Sequence, residues 1–418
     1  MQPPRFAWLD GLRGLGAVQV LLLHVFGAFQ PGLVRDPSPL WLLYDGETAV
    51  FIFFLLSGAV LTNAFASQTA SPPAQMAARV ARFALPAAAS AGVAFLLFRW
   101  LPDAHLRAAA ALPGSWLAEH WTADGTAQSL ATDIFINGLM LGYRGLSLMD
   151  ACLVPLMDTG TAYNAPLWTL SLELQGSVLV LLLTVARRRS PFAWLILTCG
   201  LALFLLRTPL VCFIVGHLAM LAPRSRKHGP IGVAMILLGC GLAFAATTGA
   251  AAAFRVLAEG NLPLAPAFSA EMIQRGVAAM LILGGIGLSA PLQNCLRHPF
   301  VLWLGRLSFP LYLMHWPAIF GPGAWAFLTF SPALGQSGAA MLATSGAVGL
   351  SVVLARLFRP VDEAAIVLAR RLRSLLGAPR QVGRSWIHRG SVAIRFPWAV
   401  RAPAAFASPS PPPCRPHG

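Results

Sequence analysis

Apolar residues in this chain come in long blocks rather than in alternation with polar ones, the pattern of helices that cross a membrane. About 20 mostly apolar residues span a bilayer core of about 30 Å. Windows of that kind lie at 12–29, 48–66, 83–101, 167–186, 191–206, 208–222, 230–250, 272–290, 307–328 and 337–358, and they predict an all-α, polytopic transmembrane bundle of about ten helices. The two windows beside Arg207 and Pro209 are short, so a single broken hairpin is the alternative there. The weakly apolar run from Ile134 to Leu148 reads as a re-entrant or interfacial piece. Asp10 and Arg13 stand at the start of the first block, His24 stands within it and no small-x-small site follows, so it reads as a retained helix rather than a signal peptide.

Composition supports this reading: 57% of residues are hydrophobic, only 11% are charged and the mean hydropathy is +0.68, far from a soluble domain. The net charge of +15 would suit nucleic acid, but the basic residues sit in short clusters between apolar blocks and beyond Pro360. That distribution points to a lipid bilayer and to no nucleic acid. Short cytoplasmic loops collect Arg and Lys. A cytoplasmic N-terminus puts 23 basic residues inside and 7 outside (Arg35, Arg99, Arg107, Arg144, Arg207, Arg255 and Arg275), with both termini cytoplasmic.

Residues 1–360 then form the membrane domain, and 361–418 a basic, Pro-rich, disordered cytoplasmic tail whose composition cannot bury a core. The longest loop, Pro102 to Pro166, lies outside with Trp116, His120, Trp121, Asp133 and Asn164, and reads either as an acceptor-facing lid or as a plain surface loop. The six cysteines (Cys152, Cys199, Cys212, Cys240, Cys295 and Cys414) have neither metal-ligand nor redox spacing. Neither a metal nor a disulfide framework is expected. Arginine outnumbers lysine 29 to 1, a usage that goes with GC-rich bacterial genomes.

Ionisable side chains inside membrane helices are costly and by default line a cavity. Arg13 and His24 are eleven positions apart, close to three turns, so they share one helix face roughly 16 Å apart. Asp10 lies one turn before Arg13 and is placed to pair with it. The structural alternative makes Arg13 a topology anchor and His24 a satisfied interior residue. Ser57 and Gly58 fall near mid-depth, where a small pair commonly serves helix packing. Glu173, in Pro166-Leu-Trp-Thr-Leu-Ser-Leu-Glu, needs a partner such as a buried Arg or His or else is neutral, and His315, in Leu311-Tyr-Leu-Met-His-Trp-Pro317, lies at similar depth.

LDGLRG with the Arg13-x10-His24 spacing, then FFLLSG, PLWTLSLE and LGRLSFPLYLMHWP, resemble in this order the motifs of the acyltransferase-3 family, from about Trp8 to Arg359. Arg79 and Arg82 before Pro86 resemble its basic stretch ahead of the third helix. The chain departs from the pattern at Leu174, Gly176 and Ser177, where an acid and an aromatic are usual, and at Ala49 and Pro310.

The resemblance implies a multi-pass enzyme of the inner (cytoplasmic) membrane with no permanently bound cofactor. It would move an acyl group, most commonly acetyl, from acyl-CoA to a hydroxyl of a glycan, glycolipid or other lipid-linked acceptor. It implies His24, Glu173 and Arg13 as catalytic residues and Asp10, Arg79, Arg82, Ser57, Trp168 and His315 as substrate-binding ones. His24 suits a general base and the arginines suit donor phosphates. Glu173 is expected to orient His24 or meet the acceptor, and His315 to contact the acceptor or hold the chamber. An acyl-histidine intermediate is a second chemical route. A secondary transporter is the alternative reading, against which no internal repeat is found.

Overall fold

The computed structural model describes residues 7–36, 38–67, 70–148, 156–222, 229–260 and 268–377. Arg5, Arg224, Arg226, Lys227, Cys152, Cys414 and the tail beyond 377 lie outside the described residues.

A helix occupies each of the predicted apolar windows: α1 (Ala7–Phe29), α2 (Gly46–Ala66), α3 (Pro72–Trp100), α4 (Trp168–Arg189), α5 (Pro191–Phe204), α6 (Leu210–Leu221), α7 (Gly229–Thr247), α9 (Ala270–Leu288), α10 (Pro299–Ala318) and α11 (Ala324–Gly377), with the short α8 (Ala252–Glu259) between α7 and α9. Seven segments among the described residues are long and apolar enough to cross a membrane, where the sequence predicts about ten. The difference has two sources. α5 and α6 have only 14 and 12 residues, and Pro299–Leu376 runs as one 78-residue helical stretch. Within that stretch Gly335, at φ 69° and ψ 170°, breaks the helix between the windows ending at 328 and starting at 337.

Two boundaries move. α3 begins at Pro72, so Arg79 and Arg82 are helical rather than in a preceding loop. α11 continues through Pro360, where the sequence reading ends the membrane domain, and stays helical to Gly377. Ala365 is fully buried there, and Arg359 pairs with Glu363 one turn on at 3.0 Å. Large apolar side chains such as Phe192 and Leu237 are exposed on α5 and α7, as expected of surfaces that lipid covers.

α1 packs against α10 and α2, α2 against α4 and α6, α3 against α11, and α7 against α9. Glycines set the closest crossings. A Cβ on Gly14 would meet the Leu304 carbonyl carbon at 2.8 Å, and one on Gly58 would meet the Phe213 Cα at 2.8 Å. The glycines of LDGLRG and FFLLSG are therefore contact points between backbones. Gly58→Val is expected to force α2 and α6 apart and destabilise the fold by about 1–3 kcal/mol or more, read as a lower thermal midpoint in detergent.

The segment between α3 and α4 is packed rather than loose. Trp121, Tyr143 and Tyr163 are almost fully buried. The Trp121 indole N–H donates to the Tyr163 carbonyl at 2.7 Å. The Asp133 carboxylate accepts from the Tyr143 hydroxyl at 2.6 Å and from the Tyr163 amide at 3.0 Å. Burial pushes the Asp133 carboxyl up to about 6. Residues Thr132–Leu141, part of the weakly apolar run, form a π-helix that carries this carboxylate. Asn164 Nδ2 donates to the Leu313 carbonyl at 3.0 Å, tying the segment to α10.

Candidate active site

Two cavities enter the bundle and share a wall. The first, of about 220 Å³, is lined by Arg13, Ser57, Arg79, Arg82 and Glu173. The second, of about 390 Å³, is lined by His24, Glu47, Trp116, His120, Trp168 and Arg275. Val50 and Tyr312 line both. The Tyr312 hydroxyl lies 2.9 Å from Thr169 Oγ1 and 3.1 Å from the Pro166 carbonyl, which fixes it in the partition.

In the first cavity, Glu173 Oε1 accepts from the Ser57 hydroxyl at 2.6 Å, and Oε2 lies 3.5 Å from Arg79 Nη2. Arg79 Nε also donates to Ser177 Oγ at 3.0 Å, and its guanidinium sits 4.5 Å from the Phe83 ring centre. Arg82 pairs with Asp362 at 2.7 Å and lies 4.7 Å from the Phe309 ring centre. Both of these arginines thus meet a carboxylate. Arg13 is exposed and, among the described residues, has no hydrogen-bond or ion-pair partner. The expected Asp10–Arg13 pair is therefore not formed. Asp10 lines neither cavity, and its backbone carbonyl lies against Gly305 where α1 crosses α10.

In the second cavity, His24 Nδ1 lies 2.9 Å from the Val20 carbonyl and 3.2 Å from His315 Nε2. His315 Nδ1 lies 3.2 Å from the Leu311 carbonyl. Carbonyl oxygens only accept, which assigns each Nδ1 a proton in the neutral pair. His315 Nε2 is then an acceptor facing His24, and His24 Nε2 keeps its lone pair. His24 also packs edge-on to Trp116 and Trp316, at 5.8 and 5.3 Å between ring centres. Gly27, one turn beyond His24, leaves the space that the Trp116 indole fills. His120 Nδ1 lies 3.1 Å from the Trp116 carbonyl, and burial holds its imidazole below the ordinary histidine range. Arg275 forms an ion pair with Glu47 in the lining.

The predicted residues are thus divided. Arg13, Ser57, Arg79, Arg82 and Glu173 meet in one cavity, and His24 and Trp168 line the other with His315 behind them. Glu173 does not orient His24. It is held by Ser57 and Arg79, and the partner of His24 is His315. Ser57 takes a polar role, whereas its neighbour Gly58 is a packing residue. Sequence reasoning assigned no role to Tyr312, Glu47, Arg275 or Asp362. The only signal for Tyr312 was its place one turn before His315.

A family model for the acyltransferase domain of the acyltransferase-3 family matches residues 6–356. No curated protein matches the chain, and no solved structure does. The family match takes in every residue that lines the two cavities, and together with the apolar helices it establishes that the chain belongs to the acyltransferase-3 family and is a multi-pass membrane acyltransferase.

Proposed function

We propose that the protein transfers an acyl group, acetyl being the expected one, from acyl-CoA bound at the first cavity to a hydroxyl of a glycan or lipid-linked acceptor in the second. The observation that carries this reading is the shared wall. The Arg13 guanidinium, which has no partner among the described residues, opens on one side of Tyr312, and the His24 imidazole with a free Nε2 lone pair on the other. Arg13 suits a donor phosphate through its planar fork of N–H groups. With the CoA phosphates held in the first cavity, the acyl end of the donor passes Tyr312 into the second, where the acceptor oxygen attacks the thioester carbonyl as its proton passes to His24 Nε2, and collapse of the adduct expels the thiolate, which takes that proton. While His24 is cationic, its Nδ1–H donates to His315 Nε2 and the charge is spread without a carboxylate. With the basic side facing the cytoplasm of an inner membrane, both termini are cytoplasmic and the acceptor approaches from outside.

The test is to delete the gene, quantify ester-linked acyl groups on envelope glycans and lipids, and complement with wild type and Arg13→Lys at matched membrane levels. Loss of esters on deletion and strong impairment with Arg13→Lys are expected. Unchanged esters on deletion would overturn the transfer reading, and full rescue by Arg13→Lys would reduce Arg13 to a topology anchor.

Asp362 bears on the same cavity because it neutralises Arg82. Asp362→Asn frees that guanidinium for a donor phosphate and is expected to lower the KM for acetyl-CoA by about twofold to fivefold, the range of a partly exposed ion pair, with kcat unchanged. A raised KM would show that the carboxylate positions Arg82 for the donor.

A further inference from the structure

A third cavity, of about 190 Å³, lies against the second, and Phe51 and Met272 line both. Its walls are almost wholly apolar: Val211 and Val215 from α6, Phe254 from α8, and a single face of α9. That face consists of Met272, Ile273, Gly276, Val277 and Met280. Their spacing follows the helix period and covers about 12 Å along the axis. The charged side chain in the lining, Arg207, is turned to backbone, with Nη1 donating to the Ala258 and Gly260 carbonyls at 3.2 and 2.9 Å. Apolar cavities of about 150 Å³ accept a molecule as large as benzene, so this one has room for a run of methylenes.

Gly276 is informative because packing does not require a glycine there. A Cβ would meet a Phe51 ring carbon at 3.5 Å and Cys212 Sγ at 3.9 Å, which are ordinary contacts. The missing side chain enlarges the cavity instead. Beside it, α8 presents Phe254 and Leu257 to the cavity, while Val256 on the other side of that short helix is 76% exposed. That outer face also exposes Arg255 and Glu259, so α8 is amphipathic, as suits a helix lying at the membrane interface with its apolar side over the cavity.

We propose that this cavity receives the hydrocarbon chain of a lipid-anchored acceptor, so that the acceptor hydroxyl reaches His24 from the bilayer rather than from solution. The inference rests on the acyl-transfer reading. It assigns the chain to the acceptor and not to the acyl donor because the third cavity shares wall residues with the His24 cavity and none with the Arg13 cavity. A chain already dissolved in lipid gains little by entering an equally apolar cavity. The subsite therefore acts by orientation, holding the polar end of the acceptor in a narrow range of positions before His24.

The test reads occupancy directly. The protein in lipid nanodiscs is irradiated with a trace of dodecyl glucoside carrying a diazirine at the chain end, or with phosphatidylcholine carrying the same group, and adducts are mapped by mass spectrometry. Labelling of the 272–280 peptide by the glucoside is expected. Excess untagged dodecyl glucoside should compete it away and methyl glucoside should not, and Gly276→Leu should reduce it about tenfold while Gly276→Ala retains it. If Gly276→Leu lowers the thermal midpoint, Val277→Phe takes its place. Equal, uncompeted labelling by phosphatidylcholine would mean that bulk lipid fills the cavity and would overturn the proposal, as would absence of glucoside labelling. CoA release from acetyl-CoA, measured separately on the wild type, tells failure of the acyl-transfer reading apart from failure of the subsite.

Discussion

Replacing His24 with alanine is expected to lower acyl transfer by about 10²- to 10⁴-fold, the usual contribution of a general base, while membrane insertion and thermal midpoint stay close to wild type. Insertion is spared because α1 keeps its apolar length and its glycine crossings with α10 are untouched. The rate falls because the Nε2 of His24 carries a free lone pair in the second cavity while its Nδ1 is backed by His315. His315→Gln should give a smaller loss with a different signature. Removing the imidazole acceptor beside Nδ1 alters how readily His24 holds a proton, so the pH profile of kcat/KM should shift as well as its height. The measurement is initial rate against pH for wild type and both variants at matched protein in nanodiscs. A His24→Ala enzyme with wild-type turnover would end the assignment, and a His315→Gln profile of unchanged shape would leave His315 a packing residue.

Glu173→Gln is expected to abolish most activity and also to destabilise the protein, and the second effect is what the tertiary structure adds. The carboxylate is held by the Ser57 hydroxyl at 2.6 Å and by Arg79 at 3.5 Å, with side-chain exposures of 13% for Glu173 and 22% for Arg79. Removing one member of a fully buried pair costs about 3–5 kcal/mol, and the residual exposure here places the loss toward the lower end. The double variant Arg79→Gln with Glu173→Gln removes both charges, so its thermal midpoint should recover toward wild type while activity stays low. That non-additivity separates a polar network from two independent residues. Normal turnover by Glu173→Gln at an unchanged midpoint would show that the carboxylate is dispensable.

What the sequence determined by itself is local and periodic. Apolar windows of bilayer length located the helices, because a backbone in lipid must satisfy its own hydrogen bonds and a helix does so within one segment. The eleven-position offset put Arg13 and His24 on one face of α1, since that relation depends only on the helix repeat. Motif order identified the family, and ionisable residues within apolar blocks marked which helices carry chemistry.

The tertiary structure decided which of those residues work together. Arg13 and His24 share a face yet open into different cavities, because Tyr312 of α10 and Val50 of α2 come between them. The partner of His24 stands 291 positions away and that of Glu173 stands 116 positions away. Asp362 reaches Arg82 only because α11 continues through Pro360. Such pairings follow from helix crossings set by glycine contacts such as Gly14 on Leu304 and Gly58 on Phe213. Helical periodicity fixes which way a side chain points from its own axis, but the neighbour it meets depends on how two axes cross, and that is a property of the packed bundle.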